Sequence, residues 1–372
     1  MRSEKPSPAP SEEPRGEEAA KPTPAAPKRE SPSRRKPDPR PIDWETISDE
    51  ELLRMRICDL PLKIDDFLRE RIEAVYAELD AKGIAFHPEC YLGDEWFSPE
   101  GDPVVSIPYY LAQRRLVRLE KSWALEAEGE SREEFLQLLR HELGHALSHA
   151  YKLHKTKGYS KVFGPSSQEY PDSYRPRPYS RRYVVHLENW YAQSHPDEDF
   201  AETFAVWLTP GIDWRKDYAG WGALAKLEFV DRMMTRICGK KPARRRGEKF
   251  RRLSTIRMTV AQSHNIKRRA LESDFPEYFD RDLKTIFAPT DRGERAAKFL
   301  RRHRTMLVRC VSQWTGEKRY TIQGLVTRFA ERCVELNLRV QRSEAETLAR
   351  ATACLTTMAT NYFLTGKFKR HL

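Results

Sequence analysis

Residues 138–154 read LLRHELGHALSHAYKLH, and nothing else in the chain so narrows what it can fold into. Side chains at i and i+4 share one face of an α-helix. On a helix, His141 and His145 can therefore grip one metal ion. Glu142, pointing slightly aside, can reach a water held on that ion and take its proton. The pattern H-E-x-x-H arises by chance in roughly a few per cent of chains of this composition, so it also fits a plain helix with two solvated or core histidines. The two readings part over a third ligand, since a catalytic zinc needs three protein ligands and an open position.

Ser131-Arg132-Glu133-Glu134 is a capping-box pattern, with Ser131 as N-cap and Glu134 as its partner. It predicts a helix that starts there and runs to about Lys155. His149 is still on that helix, four residues after His145, and a straight helix carries it a further turn from the metal; a core or capping role is expected. The other source of a ligand is NWYAQSHPDEDFAETFAVWL, residues 189–208, part of a second helical stretch read over 186–208 and broken at His195-Pro196. Glu198 and Glu202 share a face of it, while Phe200, Phe204, Trp207 and Leu208 can face a core. A carboxylate pair in an apolar setting needs a cation or hydrogen-bond donors. The expectation is that Glu198 is the third ligand and that Glu202 accepts a hydrogen bond from a ligand histidine, fixing its tautomer. The exchange of those two roles stays open. Asp197 and Asp199 suit an acidic helix start, which the macrodipole favours.

HELGHALSHA, followed about fifty residues later by YAQSHPDEDFAETFAVWL, resembles the putative zinc-binding metallopeptidase family of bacteria. Members of that family carry HELGH and a segment close to S-H-P-x-E-D-F-A-E-T-x-A. The upstream GDEWFSPEGDPVVSIPYYLA is similar in character, and the likeness covers roughly residues 80–235. It implies an α+β, zincin-like fold, one zinc per chain, and hydrolysis of a peptide or protein substrate. A looser likeness is to gluzincins of the anthrax lethal factor and Mlc titration factor type, which place a Tyr seven residues before the ligand Glu. Tyr191 stands seven residues before Glu198. That likeness implies that Tyr191 donates a hydrogen bond to the oxyanion of the tetrahedral intermediate. His195 is a rival for the role, and packing beside Trp190 is the plain alternative for Tyr191. The position of Glu202 is where related enzymes vary, so its assignment is the open one.

Elsewhere the patterns are coarser. Residues 49–80 show helical spacing with a break at Pro61. PEGD, residues 99–102, reads as a hairpin turn and PVVSIPYYL as a strand that Pro108 marks as an edge or an ending, open to an extended peptide by β-addition. Residues 156–184 have little periodicity and read as a long, partly irregular segment. Residues 240–252, KKPARRRGEKFRR, read as a basic linker, and the remainder as helix interrupted near Pro276, Pro289 and Gly316.

The net charge of +11 is unevenly spread, at about +3 over residues 1–42, −10 over 43–239 and +18 over 240–372. Residues 1–42 hold almost no large apolar side chains and are expected to be a disordered tail. They also lack an apolar signal-peptide core, and no run approaches a membrane span. Six scattered cysteines without a C-x-x-C pair suggest neither a zinc ribbon nor a disulfide framework, so the expected setting is cytoplasmic. The organisation expected is a tail over 1–42, an α+β zincin-like domain with a small sheet over 43–239, and a mostly helical basic region over 240–372. That last region can be a solvated face, can dock on the acidic domain, or can meet a nucleic acid or acidic protein. The function expected is zinc-dependent peptide hydrolysis; the alternative is a noncatalytic zinc-binding regulatory protein whose basic region takes such a partner.

Overall fold

The computed structural model describes residues 42–44, 46–171, 174, 176–271 and 280–365. Of the tail expected over residues 1–42 all but Ile42 lies outside the described residues, as does the interruption at Pro276. The described residues fall in one compact unit, mostly helical with two small sheets, which is an α+β composition.

Helix α1 (Asp49–Arg54) opens with a full capping box, in which Ser48 and Glu51 each accept the other's backbone N–H. Helix α2 (Asp66–Ala81) is capped by Asp65, which accepts from Leu68 N–H. The break expected at Pro61 is wider than one residue, since only a 3-10 turn at Ile57–Asp59 joins the two helices.

Strands β1 (Glu89–Gly93) and β2 (Val104–Pro108) pair in parallel, Tyr91 opposite Ser106. The PEGD turn forms, with Asp102 N–H donating to Pro99 O at 3.0 Å. It returns the chain so that Phe97 pairs antiparallel with Ser106. Ser106 is thus bonded on both sides, and all five β2 residues are buried. This corrects the open-edge reading of PVVSIPYYL. A run such as VVSIP, apolar except for Ser106, belongs inside a sheet, where both faces are covered, rather than on its rim.

The chain continues through α3 (Arg114–Ala124), α4 (Arg132–Tyr151), α5 (Tyr159–Val162), α6 (Pro196–Leu208), α7 (Trp214–Asp217) and α8 (Ala223–Ile237). It then forms α9 (Val260–Leu271), α10 (Asp280–Ile286), β3 (Ala288–Pro289), α11 (Ala296–Arg302), α12 (Arg304–Thr315), α13 (Arg319–Glu335), β4 (Leu338–Arg339) and α14 (Glu344–Thr365). Ser131 caps α4 by accepting from Glu134 N–H, but the Glu134 carboxylate turns to the backbone of Gly129 instead of closing the box. Helix α4 stops at Tyr151, short of Lys155, because Lys152 takes a left-handed conformation (φ 53°) and its N–H bonds back to Ser148 O.

Among the described residues two hydrophobic cores result. The first runs from Leu52 to Val260 and takes in Phe135, Leu139, Leu143 and Leu147 of α4 together with Phe200, Phe204 and Trp207 of α6. The second gathers Leu283, Phe299, Leu307, Leu325, Phe329 and Leu355 from the C-terminal helices. Ile256 and Val260, beyond the expected boundary at residue 239, belong to the first core. No described helix is long and apolar enough to cross a membrane.

Candidate metal centre

Helices α4 and α6 meet at a glycine. A Cβ on Gly144 would stand 3.0 Å from Ala201 Cα and 3.1 Å from Phe204 Cδ1, so the helices approach more closely there than side chains ordinarily allow. The approach sets His141 beside Glu202 and His145 beside Glu198, which means the helices run in opposite senses at the contact. Each helix has an independent reason to start where it does. Pro196 occupies the first turn of α6, where no N–H is needed, and His195 caps it by accepting Asp197 N–H on Nδ1 at 3.1 Å.

Three donor atoms converge. His141 Nε2 lies 3.0 Å from Glu198 Oε2, His145 Nε2 lies 3.1 Å from the same oxygen, and the two Nε2 atoms are 3.2 Å apart. Ligands held about 2.0–2.1 Å from one tetrahedral zinc stand roughly 3.3 Å from each other. The triangle therefore fits a zinc ion, and the residue types fit it as well: two imidazoles and one carboxylate. Two imidazole nitrogens facing one another over a carboxylate oxygen also need a shared cation or proton to offset their lone-pair repulsion.

Glu202 stands behind the triangle. Its Oε1 accepts from His141 Nδ1–H at 2.9 Å and its Oε2 from Leu187 N–H at 2.9 Å, with the residue fully buried. A proton on Nδ1 leaves Nε2 bare and aimed at the centre. Burial alone would raise the Glu198 carboxyl, but the His145 and His141 imidazoles overcome this and hold it well below the usual carboxylate range. Glu142 is buried beside the triangle, and burial pushes its carboxyl upward against the pull of the two imidazoles.

Tyr191 comes from a 3-10 stretch, Glu188–Gln193, in which Asn189 (φ 60°) and Trp190 (φ 51°) are left-handed. Its ring lies 5.7 Å from that of His141. Among the described residues its hydroxyl has no hydrogen-bond partner, and burial keeps the phenol protonated. His195 is corrected as its rival. Nδ1 is spent on the helix cap, Nε2–H donates to Gln168 O at 2.8 Å, and the side chain is buried, so no donor is left to offer. His149 is not part of the triangle; burial lowers it to about 4, and it faces His154 instead.

One neighbour escaped the sequence reading. Tyr170 O–H donates to Glu198 Oε1 at 3.0 Å, and its ring stacks on His195 at 3.7 Å. It lies in the aperiodic segment after α5, where no spacing rule points at a partner 28 residues away.

No curated protein and no solved structure matches the chain. Residues 122–245 match the model of the family described as "Putative zinc-binding metallo-peptidase". That span carries α4, α6 and every residue of the donor triangle, and over it the chain is similar to this family.

Proposed function

We propose that the chain is a zinc-dependent metallopeptidase with a zincin-like catalytic domain, binding one zinc through His141, His145 and Glu198. The observation that carries the reading is the convergence of three donor atoms beside a buried, otherwise unemployed carboxyl, Glu142. A bound zinc would supply Lewis acidity, polarising a scissile carbonyl and acidifying water. Glu142 takes the proton of the attacking water and passes it to the leaving amine; the upward push of burial brings its basicity closer to neutral pH, where such a shuttle works best. Tyr191, protonated and unengaged, donates its hydroxyl to the oxyanion. Glu202 keeps His141 in the tautomer that presents Nε2.

The test combines metal content with hydrolysis of a broad peptide library. The parent should carry about one zinc per chain. Glu198→Ala should lose it, Glu202→Ala should hold it more weakly, and Glu142→Gln should hold it yet cleave nothing. A parent that holds no zinc when zinc is offered would overturn the reading. A zinc-bearing parent that cleaves no peptide would favour the noncatalytic alternative.

A further inference from the structure

Residues 164–170 run as a strap along the start of α6. Ser166 Oγ donates to Asp197 at 2.9 Å, Gln168 O accepts from His195 at 2.8 Å, and Tyr170 O–H reaches Glu198 Oε1 at 3.0 Å. Three points of attachment, on the N-cap His195 and on Asp197 and Glu198 of the first turn of α6, hold the strap in place. The Tyr170 ring lies nearly flat on His195, 3.7 Å between centroids and 15° between planes. That imidazole is itself immobilised through both nitrogens. The hydroxyl is therefore held at the carboxylate although the residue is 58% exposed.

The two oxygens of Glu198 have separate employment. Oε2 faces both imidazoles and Oε1 faces Tyr170. A carboxylate free to rotate presents either oxygen or both to a cation, and one held by a donor does not. We propose that Tyr170 is a positioning residue for the metal ligand, its hydroxyl engaging Oε1 of Glu198 so that Oε2 alone is offered to the cation. The inference rests on the zinc reading above and deepens it. It assigns a role to the strap, which the sequence left as an irregular segment.

Tyr170→Phe removes one oxygen and keeps the ring on His195; Tyr170→Ala removes both. Zinc(II) affinity is measured by chelator competition, and the visible absorption of the protein is recorded with cobalt(II) in place of zinc. Tyr170→Phe should weaken zinc binding about 10-fold or more, the usual effect of losing a ligand's supporting hydrogen bond. Tyr170→Ala should add little. The cobalt absorption should weaken in both variants as the second carboxylate oxygen becomes available to the ion. If Tyr170→Phe matches the parent in zinc affinity and cobalt spectrum, the hydroxyl positions nothing and the proposal falls while the metal site stands. If the parent binds neither metal, the metal reading falls, and this proposal falls with it.

Discussion

Replacing Gly144 by alanine sets two effects of opposite sign against each other. In a helix interior the change is worth about 1 kcal/mol in favour of alanine. Against this, the new methyl would lie 3.0 Å from Ala201 Cα, 3.1 Å from Phe204 Cδ1 and 3.3 Å from Ala201 Cβ. Carbon atoms rest at about 3.5–4.0 Å, so the helices must part by roughly half an ångström. Neither neighbour yields easily: one is backbone of a buried helix and the other a fully buried ring. Overpacking of this kind costs about 1–3 kcal/mol, so the net result is a loss of roughly 0–2 kcal/mol. The same displacement acts on the donor triangle, because His141 and His145 flank Gly144 while Glu198 and Glu202 flank Ala201. Metal–ligand distances tolerate about 0.2 Å, so zinc affinity should fall at least 10-fold. Urea unfolding of the metal-free protein and zinc competition measure the two quantities. A variant about 1 kcal/mol more stable than the parent, with unchanged zinc affinity, would refute the close-approach argument.

Two further outcomes follow from the turn between α12 and α13. Gly316 (φ 72°) and Gly220 (φ 76°) are both left-handed, but a Cβ on Gly316 would run into Asn189 Oδ1, whereas Gly220 has nothing within 4 Å. Gly220→Ala should cost about 1–2 kcal/mol of backbone strain. Gly316→Ala should cost roughly 1 kcal/mol more as Asn189 loses its 3.0 Å bond to Gly316 O, and equal losses in thermal unfolding would sink the idea of a clasp. Burial raises the Glu317 carboxyl to about 7, against the pull of Lys318. The folded state then keeps a proton that the unfolded chain has already released, so this group's penalty is absent below about pH 4.5 and grows as pH rises to about 7. Glu317→Gln should therefore be more stable than the parent at pH 8, by on the order of 1–2 kcal/mol after allowance for its partial exposure, with the gap closing on acidification. A pH-independent gap in melting temperature would contradict this.

What was legible in the sequence was what local periodicity encodes. The i, i+4 pairs His141–His145 and Glu198–Glu202 each define a helix face, and Ser131 and Pro196 mark where those helices begin. The meeting of the two faces depended on Gly144, whose small size can be read but whose partner cannot. PEGD announced a turn correctly, yet the turn delivers Phe97 and not β1 to β2, so the parallel β1–β2 pairing had no local signal. Helix α4 ends at Tyr151, capped by a left-handed Lys152 with no glycine to announce it. Tyr170 is fixed by its contact with Glu198 and the left-handed Asn189–Trp190 pair by the contact of Asn189 with Gly316, and such tertiary contacts leave no spacing in the sequence.

The uneven charge, by contrast, was visible, and the structure shows where much of it goes. Cations of the basic region pair with carboxylates of the acidic one: Arg244 with Asp102, Lys249 with Glu89, Arg251 with Asp94, Lys318 with Glu128 and Arg319 with Glu126. The more exposed of these pairs, Lys318–Glu128 and Arg319–Glu126 among them, contribute about 0–1 kcal/mol each, so they explain compatibility rather than cohesion. Glu120 is different. It is buried on α3, and His264 and Lys267 of α9 hold it at 3.0 and 3.1 Å. Burial alone would raise that carboxyl, and these two partners bring it below its ordinary value. A buried charge stripped of its partners is far more costly than a surface one. Helix α9 thus supplies counter-charge to the first core from beyond residue 245, where the family match ends, and Val260 supplies apolar packing. A basic surface free for a polyanion would have to come from cations not engaged in these pairs. The net charge of a region therefore overstates what that region can offer a partner when the same fold holds the opposite charge within reach.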